Sequence, residues 1–99
     1  MGTYVLLTRV IPQGFRGPAS LESLEKQVAE KIRHDLPGVR WVKNYAVLGP
    51  YDYLDIFEAP DNDTAGRVSL IVRSFGHAFT EVWPVTPWQH FEDMIETTE

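Results

Sequence analysis

Gly49-Pro50-Tyr51-Asp52 joins two stretches of alternating character, residues 41–48 and 51–59, with Gly49-Pro50 between them, and the second runs at once into Glu58-Ala59-Pro60-Asp61. Gly-Pro is a turn signal, so the two stretches read as a β-hairpin. The Asp behind Pro60 then opens a helix: Asp61, Asn62 or Asp63 caps a run in which Ala65, Val68, Ile71 or Val72, and Phe75 fall on one side, and Gly76 supplies the stop. A hairpin feeding a helix places the chain in the α+β class.

Working outward, residues 4–11 are rich in β-branched and aliphatic types and end at Pro12-Gln13-Gly14, a strand and a turn. From Ser20, residues Leu21, Leu24, Val28 and Ile32 recur at helical spacing, with Glu22, Glu25, Lys26, Glu30 and Lys31 on the other side. Leu36-Pro37-Gly38 ends that helix, because Pro disfavours the α conformation of the residue before it. Residues 77–83 alternate again. Thr86-Pro87-Trp88-Gln89 reads as a capping box with Pro at the first helical position, opening a terminal helix striped by Trp88, Phe91 and Ile95.

The predicted order is the ferredoxin-like βαββαβ arrangement with an extra C-terminal helix, a single domain over residues 1–99. Both main helices then cover one face of a four-stranded antiparallel sheet and leave the other open. One strand parity holds Trp41, Tyr45 and Val47; Tyr53, Asp55 and Phe57; and His77, Phe79, Glu81 and Trp83. The other holds Val42, Ala46 and Leu48; Leu54 and Ile56; and Ala78, Thr80 and Val82. Compact aliphatics suit close helix packing, so the aromatic parity is expected on the open face, subject to the hairpin register: a turn of only Gly49-Pro50 exchanges the faces of one strand. Four exposed aromatics amount to roughly 600 to 1,000 Å², above the ~300 to 600 Å² patch of a typical monomer. A homodimer or higher oligomer, with sheets packed face to face as a dimeric α/β barrel, is the expected remedy.

Composition narrows the function classes. With 43% hydrophobic and 23% charged residues the chain reads as an ordinary globule. A net charge of −5 with scattered basic residues argues against nucleic acid. The N-terminal apolar run is too short for a membrane span or signal peptide, and the absence of cysteine removes disulfides and thiolate chemistry, which is compatible with a cytoplasmic setting. No residue spacing implies a metal or a cofactor.

The order Gln13-Gly14, Leu48-Gly49-Pro50-Tyr51-Asp52, Glu58-Ala59-Pro60-Asp61 and Gly76 with Thr80 resembles the GYD-domain family from Tyr4 to about Phe91. Ile11-Pro12 and Asp55 depart from the family pattern. The resemblance implies a ferredoxin-like fold and gives no defined activity. The stretch from Gly49 to Asp61 is also similar to the effector-binding domain of Lrp/AsnC-type regulators, which implies a non-enzymatic regulatory or assembly module.

Candidate site residues are few. Tyr51 and Asp52 fit a ligand-binding corner or a turn stitched by the Asp carboxylate. Asp55 and Glu81 are mid-strand acids, expected on one face with Tyr45, Tyr53 and Trp83, where desolvation would suit them to proton transfer or to a cationic group, or where they would pair across a dimer with Lys43 or Arg9. His77 is the histidine to test as a base or axial haem ligand. The expected ligand is a small, partly apolar molecule between paired sheets, whether or not the protein is an enzyme.

Overall fold

The computed structural model describes residues 1–98. Its elements are β1 (Gly2–Val10), a 3-10 turn (Pro12–Gly14), α1 (Pro18–Asp35), β2 (Arg40–Ala46), β3 (Tyr53–Ala59), α2 (Asn62–Ser74), β4 (Ala78–Val85) and α3 (Trp88–Thr97). The sheet is antiparallel with order β2-β3-β1-β4. This is the ferredoxin-like fold. No helix among the described residues is long and apolar enough to cross a membrane.

Local chemistry sets the helix ends. Asp61 caps α2 by accepting from the Thr64 N–H at 2.7 Å, which removes one of the unpaired donors at a helix start. Gly76, at φ 77°, makes the left-handed exit from α2. α1 begins at Pro18, two residues ahead of the expected Ser20, because proline is preset for the first helical turn. The capping box expected at Thr86 is absent: Pro87 occupies the cap position of α3 and no side chain caps it.

The aromatic parity proved to be divided between the two faces. Beneath the helices, Tyr4, Phe57 and Trp41 form a row across three strands, with ring centroids 5.5 and 5.4 Å apart. Phe57 and Val68 are fully buried, and Ile32, Val72 and Ala65 complete the core. Tyr53 and Asp55 share this helix side, since they pair with Thr8 and Leu6. The expectation that Trp41, Tyr53, Asp55 and Phe57 face outward is therefore wrong.

The loop explains the error. The strands end at Ala46 and resume at Tyr53, so Tyr45 pairs with Leu54 and Ala46 with Tyr53. A bulge between Trp41 and Lys43 then shifts the register by one residue and returns Trp41 to the side of Phe57. For β4 the expectation holds: Ala78 and Thr80 are buried under the helices, while Phe79 and Trp83 remain 56% and 49% exposed. The open face thus has an aliphatic centre, Val5, Leu54 and Ile56, flanked by Tyr45 on one edge strand and by Phe79 and Trp83 on the other.

Candidate functional site

Asp52 begins the site because it fixes the hairpin loop. Its backbone N–H donates to the Thr8 carbonyl at 2.8 Å and its carbonyl accepts from the Val47 N–H at 2.9 Å. Its carboxylate accepts from the Val10 N–H at 2.7 Å. β1 extends beyond the end of β3, and Asp52 supplies the acceptor that the missing strand would have provided. Of the two roles open to Asp52 in the sequence, the structure displays the stitching one.

That loop aims Tyr51 at the open face. The Tyr51 hydroxyl donates to one oxygen of Glu81, and Trp83 Nε1 donates to the other at 3.1 Å. These two bonds, the Tyr51 one first, hold the Glu81 carboxyl below the usual carboxylate range, and the same carboxylate pushes the Tyr51 phenol up. The Arg9 guanidinium lies 6.0 Å from the Phe79 ring centroid. Glu81, Tyr51, Trp83, Arg9 and Phe79 are one polar and aromatic group on the uncovered surface.

Asp55 lies on the opposite side of the sheet, so the expected pairing of Asp55 with Glu81 on one face does not occur. Between α1 and the sheet there is a cleft of about 300 Å³, walled by Leu6, Val28, Ile32 and Trp41, into which Asp55, Asn44, Tyr53 and Glu25 converge. It opens toward the start of α1 past Leu21. Asn44 Nδ2 donates to Asp55 Oδ1 at 2.8 Å. Burial pushes the Asp55 carboxyl above its ordinary range, the Asn44 bond opposes this, and the Glu25 charge adds to the rise. Burial likewise raises the Tyr53 phenol. A cleft with apolar walls and a few converging polar groups is the usual form of a small-molecule site.

His77, expected on the open face, precedes β4 and is fully buried. Its Nε2 bonds Glu25 Oε1, and its Nδ1 has no partner among the described residues. With the Glu25 carboxylate as acceptor, Nε2 carries the proton. The neighbouring backbone is equally closed in: the Ile11 N–H donates to the His77 carbonyl at 2.7 Å, and a Cβ on Gly14 would lie 2.4 Å from His77 Cα. Gln13-Gly14 is therefore the point where the loop after β1 touches the chain entering β4.

Two features escaped the sequence reading. Glu25 stands four residues after Leu21 and three before Val28, a helical spacing that turns it toward the sheet, yet its charge placed it with the solvent-facing residues. The second is a clasp between α2 and β4, in which Arg73 donates from Nε to Thr80 Oγ1 at 3.1 Å and from Nη2 to the Thr80 carbonyl, beside Ser69. In the sequence Thr80 stood out for its strand parity and its place in a motif, not as a partner of Arg73.

A family model described as the GYD domain matches residues 4–95. Among characterised proteins, the chain is 33% identical over 87 residues to the glutamine synthetase and cystathionine beta-lyase binding protein of Thermus thermophilus, covering 88% of this chain and 90% of that one.

Proposed function

Since the chain belongs to the GYD-domain family, with the match spanning residues 4–95, we propose that it is a non-enzymatic protein-binding module acting as a homodimer in the cytoplasm. The observation that carries this reading is the identity of 33%, nearly end to end, with a protein named for the two enzymes it binds. By that likeness, glutamine synthetase and cystathionine beta-lyase are the first partners to test. The open face supports the homodimer: Tyr45, Phe79 and Trp83 are each about half exposed, and aromatic residues are the usual anchors of protein interfaces. Two such faces packed together form the dimeric α/β barrel, and the outer helical surface stays free for a second protein.

The test is direct binding of the purified chain to glutamine synthetase and to cystathionine beta-lyase from the same cell, immobilised in turn on a sensor. Micromolar or tighter association with at least one supports the module. Saturating concentrations that give no signal with either remove it.

A second reading is favoured by the cleft under α1, of about 300 Å³. In it the cleft takes a small, partly apolar molecule whose donor-bearing or cationic head meets Asp55 and Glu25, either as a signal that tunes protein binding or as a substrate for proton transfer by Asp55. Native mass spectrometry of the protein as isolated, with Asp55→Asn beside it, distinguishes the readings. A retained small molecule lost in the variant supports the cleft; bare masses for both chains, also after incubation with a panel of primary amines, count against it.

A further inference from the structure

α3 has no home within its own chain. It contains no buried residue, yet Trp88, Phe91 and Ile95 recur along it at helical spacing and Trp88 packs against Phe91 in a tilted pair with centroids 5.4 Å apart. Trp88 is 68% exposed and Ile95 56%. The molecule measures 54 × 30 × 17 Å with a radius of gyration of 15.1 Å, against the ~13 Å of a compact chain of this length. A ten-residue helix with no side-chain cap is marginal in water unless its apolar face is packed.

Two features of the molecule identify the occupant as a second copy. The first is area. β4 passes into α3 through Thr86 and Pro87 alone, so the exposed Phe79, Trp83 and Val85 are followed directly along the chain by the exposed Trp88, Phe91, Met94 and Ile95. Together with Tyr45 these large side chains are each roughly half exposed. At ~200 Å² apiece they present roughly 800 Å², the share of one partner in a standard interface. The second is charge. α3 carries Glu92, Asp93 and Glu96 and no Lys or Arg, while Arg9 and Lys43 on the open face form no ion pair among the described residues. A twofold pairing brings the acids of one copy to the bases of the other, twice.

We propose that α3 is an exchanged arm, each copy laying its Trp88, Phe91 and Ile95 stripe on the second copy beside the paired sheets. The proposal rests on the reading of the open face as a self-association surface, and it makes the arm a separate half of the same interface. The arm also explains why the helix forms although none of its residues is buried in its own chain: its packing partner arrives on association.

The test compares full-length Phe91→Glu with full-length Trp83→Glu by sedimentation across a concentration series, with hydrogen exchange of residues 88–97 read in parallel. Both substituted side chains are substantially exposed, so neither change disturbs the core. The arm requires Phe91→Glu to raise the dimer dissociation constant on the order of a hundredfold, the loss from two rings left unburied. It also requires the α3 amides, protected in the dimer, to exchange freely in the variant. If Trp83→Glu weakens the dimer while Phe91→Glu changes neither mass nor exchange, the arm is overturned and the sheet pairing stands. Weakening by Phe91→Glu alone keeps the arm and removes the sheet pairing. A wild-type chain that stays monomeric at every concentration removes both. If Phe91→Glu leaves the dimer intact and abolishes binding to another protein, α3 serves that protein and the proposal is wrong.

Discussion

Replacing Gly14 by Ala should be among the most damaging single-methyl changes available in this chain. The added Cβ would sit 2.4 Å from His77 Cα, 2.9 Å from the Gly76 carbonyl oxygen and 2.9 Å from His77 Cβ. Carbon atoms in good contact stand ~3.5 to 4.0 Å apart, so two backbone segments must separate by about 1 Å. Neither can yield cheaply. One carries the Ile11 N–H bond to the His77 carbonyl at 2.7 Å, and the other carries the buried imidazole that Glu25 holds. Overpacking costs about 1 to 3 kcal/mol, and weakening the Ile11 bond adds about 1 kcal/mol, so we expect Gly14→Ala to lose about 3 kcal/mol. For a chain of this size that lowers the melting temperature by roughly 12 to 24 °C. The assay is urea and thermal unfolding followed by circular dichroism, at one protein concentration because association shifts the midpoint. Gly66→Ala is the internal control, since nothing lies within 4 Å of its Cβ position. A Gly14→Ala chain within about 0.5 kcal/mol of wild type would show that the two segments do not touch and that this account of Gln13-Gly14 is wrong.

The control is a prediction in its own right: Gly66 lies inside α2, so Ala there should raise stability by about 0.5 to 1 kcal/mol in the same urea titration. Asp52→Ala, which takes the acceptor from the Val10 N–H, should cost about 1 to 2 kcal/mol, and Asp52→Asn should recover part of it because an amide oxygen still accepts. Glu25→Gln leaves a hydrogen-bond partner for His77 and Glu25→Ala does not; the Ala variant should be less stable by about 2 kcal/mol, as judged by its denaturation midpoint. The Asp55 carboxyl is raised above its ordinary value of 3.8 in the folded state, first by burial. The folded form therefore binds the proton more tightly, and Asp55 makes stability fall as pH rises from about 4 through its raised value. Asp55→Asn should remove that fall and leave the protein more stable than wild type near neutrality; a variant whose stability follows pH as wild type does would show that Asp55 is not desolvated.

The sequence carried the element order because each boundary has a local cause: Pro37 ends α1, Asp61 starts α2, and Gly76 allows the left-handed exit before β4. The GYD resemblance rested on the same residues, and the family match from 4 to 95 agrees with it. The sides of the sheet were harder. A parity argument over β2 and β3 depends on the length of the 47–52 loop and on the bulge at Trp41/Lys43, and neither leaves a signature in residue type. The assumption that aromatics avoid the helix side also failed, since Tyr4, Phe57 and Trp41 pack in the core beneath the helices. For β4, where no loop or bulge intervenes, parity placed Phe79 and Trp83 correctly.

The site was legible only in fragments. Asp52 was recognisable as a turn acceptor, and Asp55 as an acid out of place in a strand. Their surroundings were not, because Glu25 and His77 are brought together from positions 52 residues apart by a tertiary contact. An acid on a helix flank is ambiguous until the opposing surface is known: on the solvent side it is routine, and against a buried imidazole it is a hydrogen-bond partner. Glu25 also lines the cleft under α1, whereas the sequence reading had placed the ligand between paired sheets.

The most direct test is the mass of the native particle. The chain weighs 11.3 kDa, and sedimentation equilibrium at micromolar concentration and ordinary ionic strength should return twice that value. A homogeneous 11.3 kDa species, with the indole of Trp83 open to a soluble quencher, would show that the exposed sheet face needs no second copy to cover it.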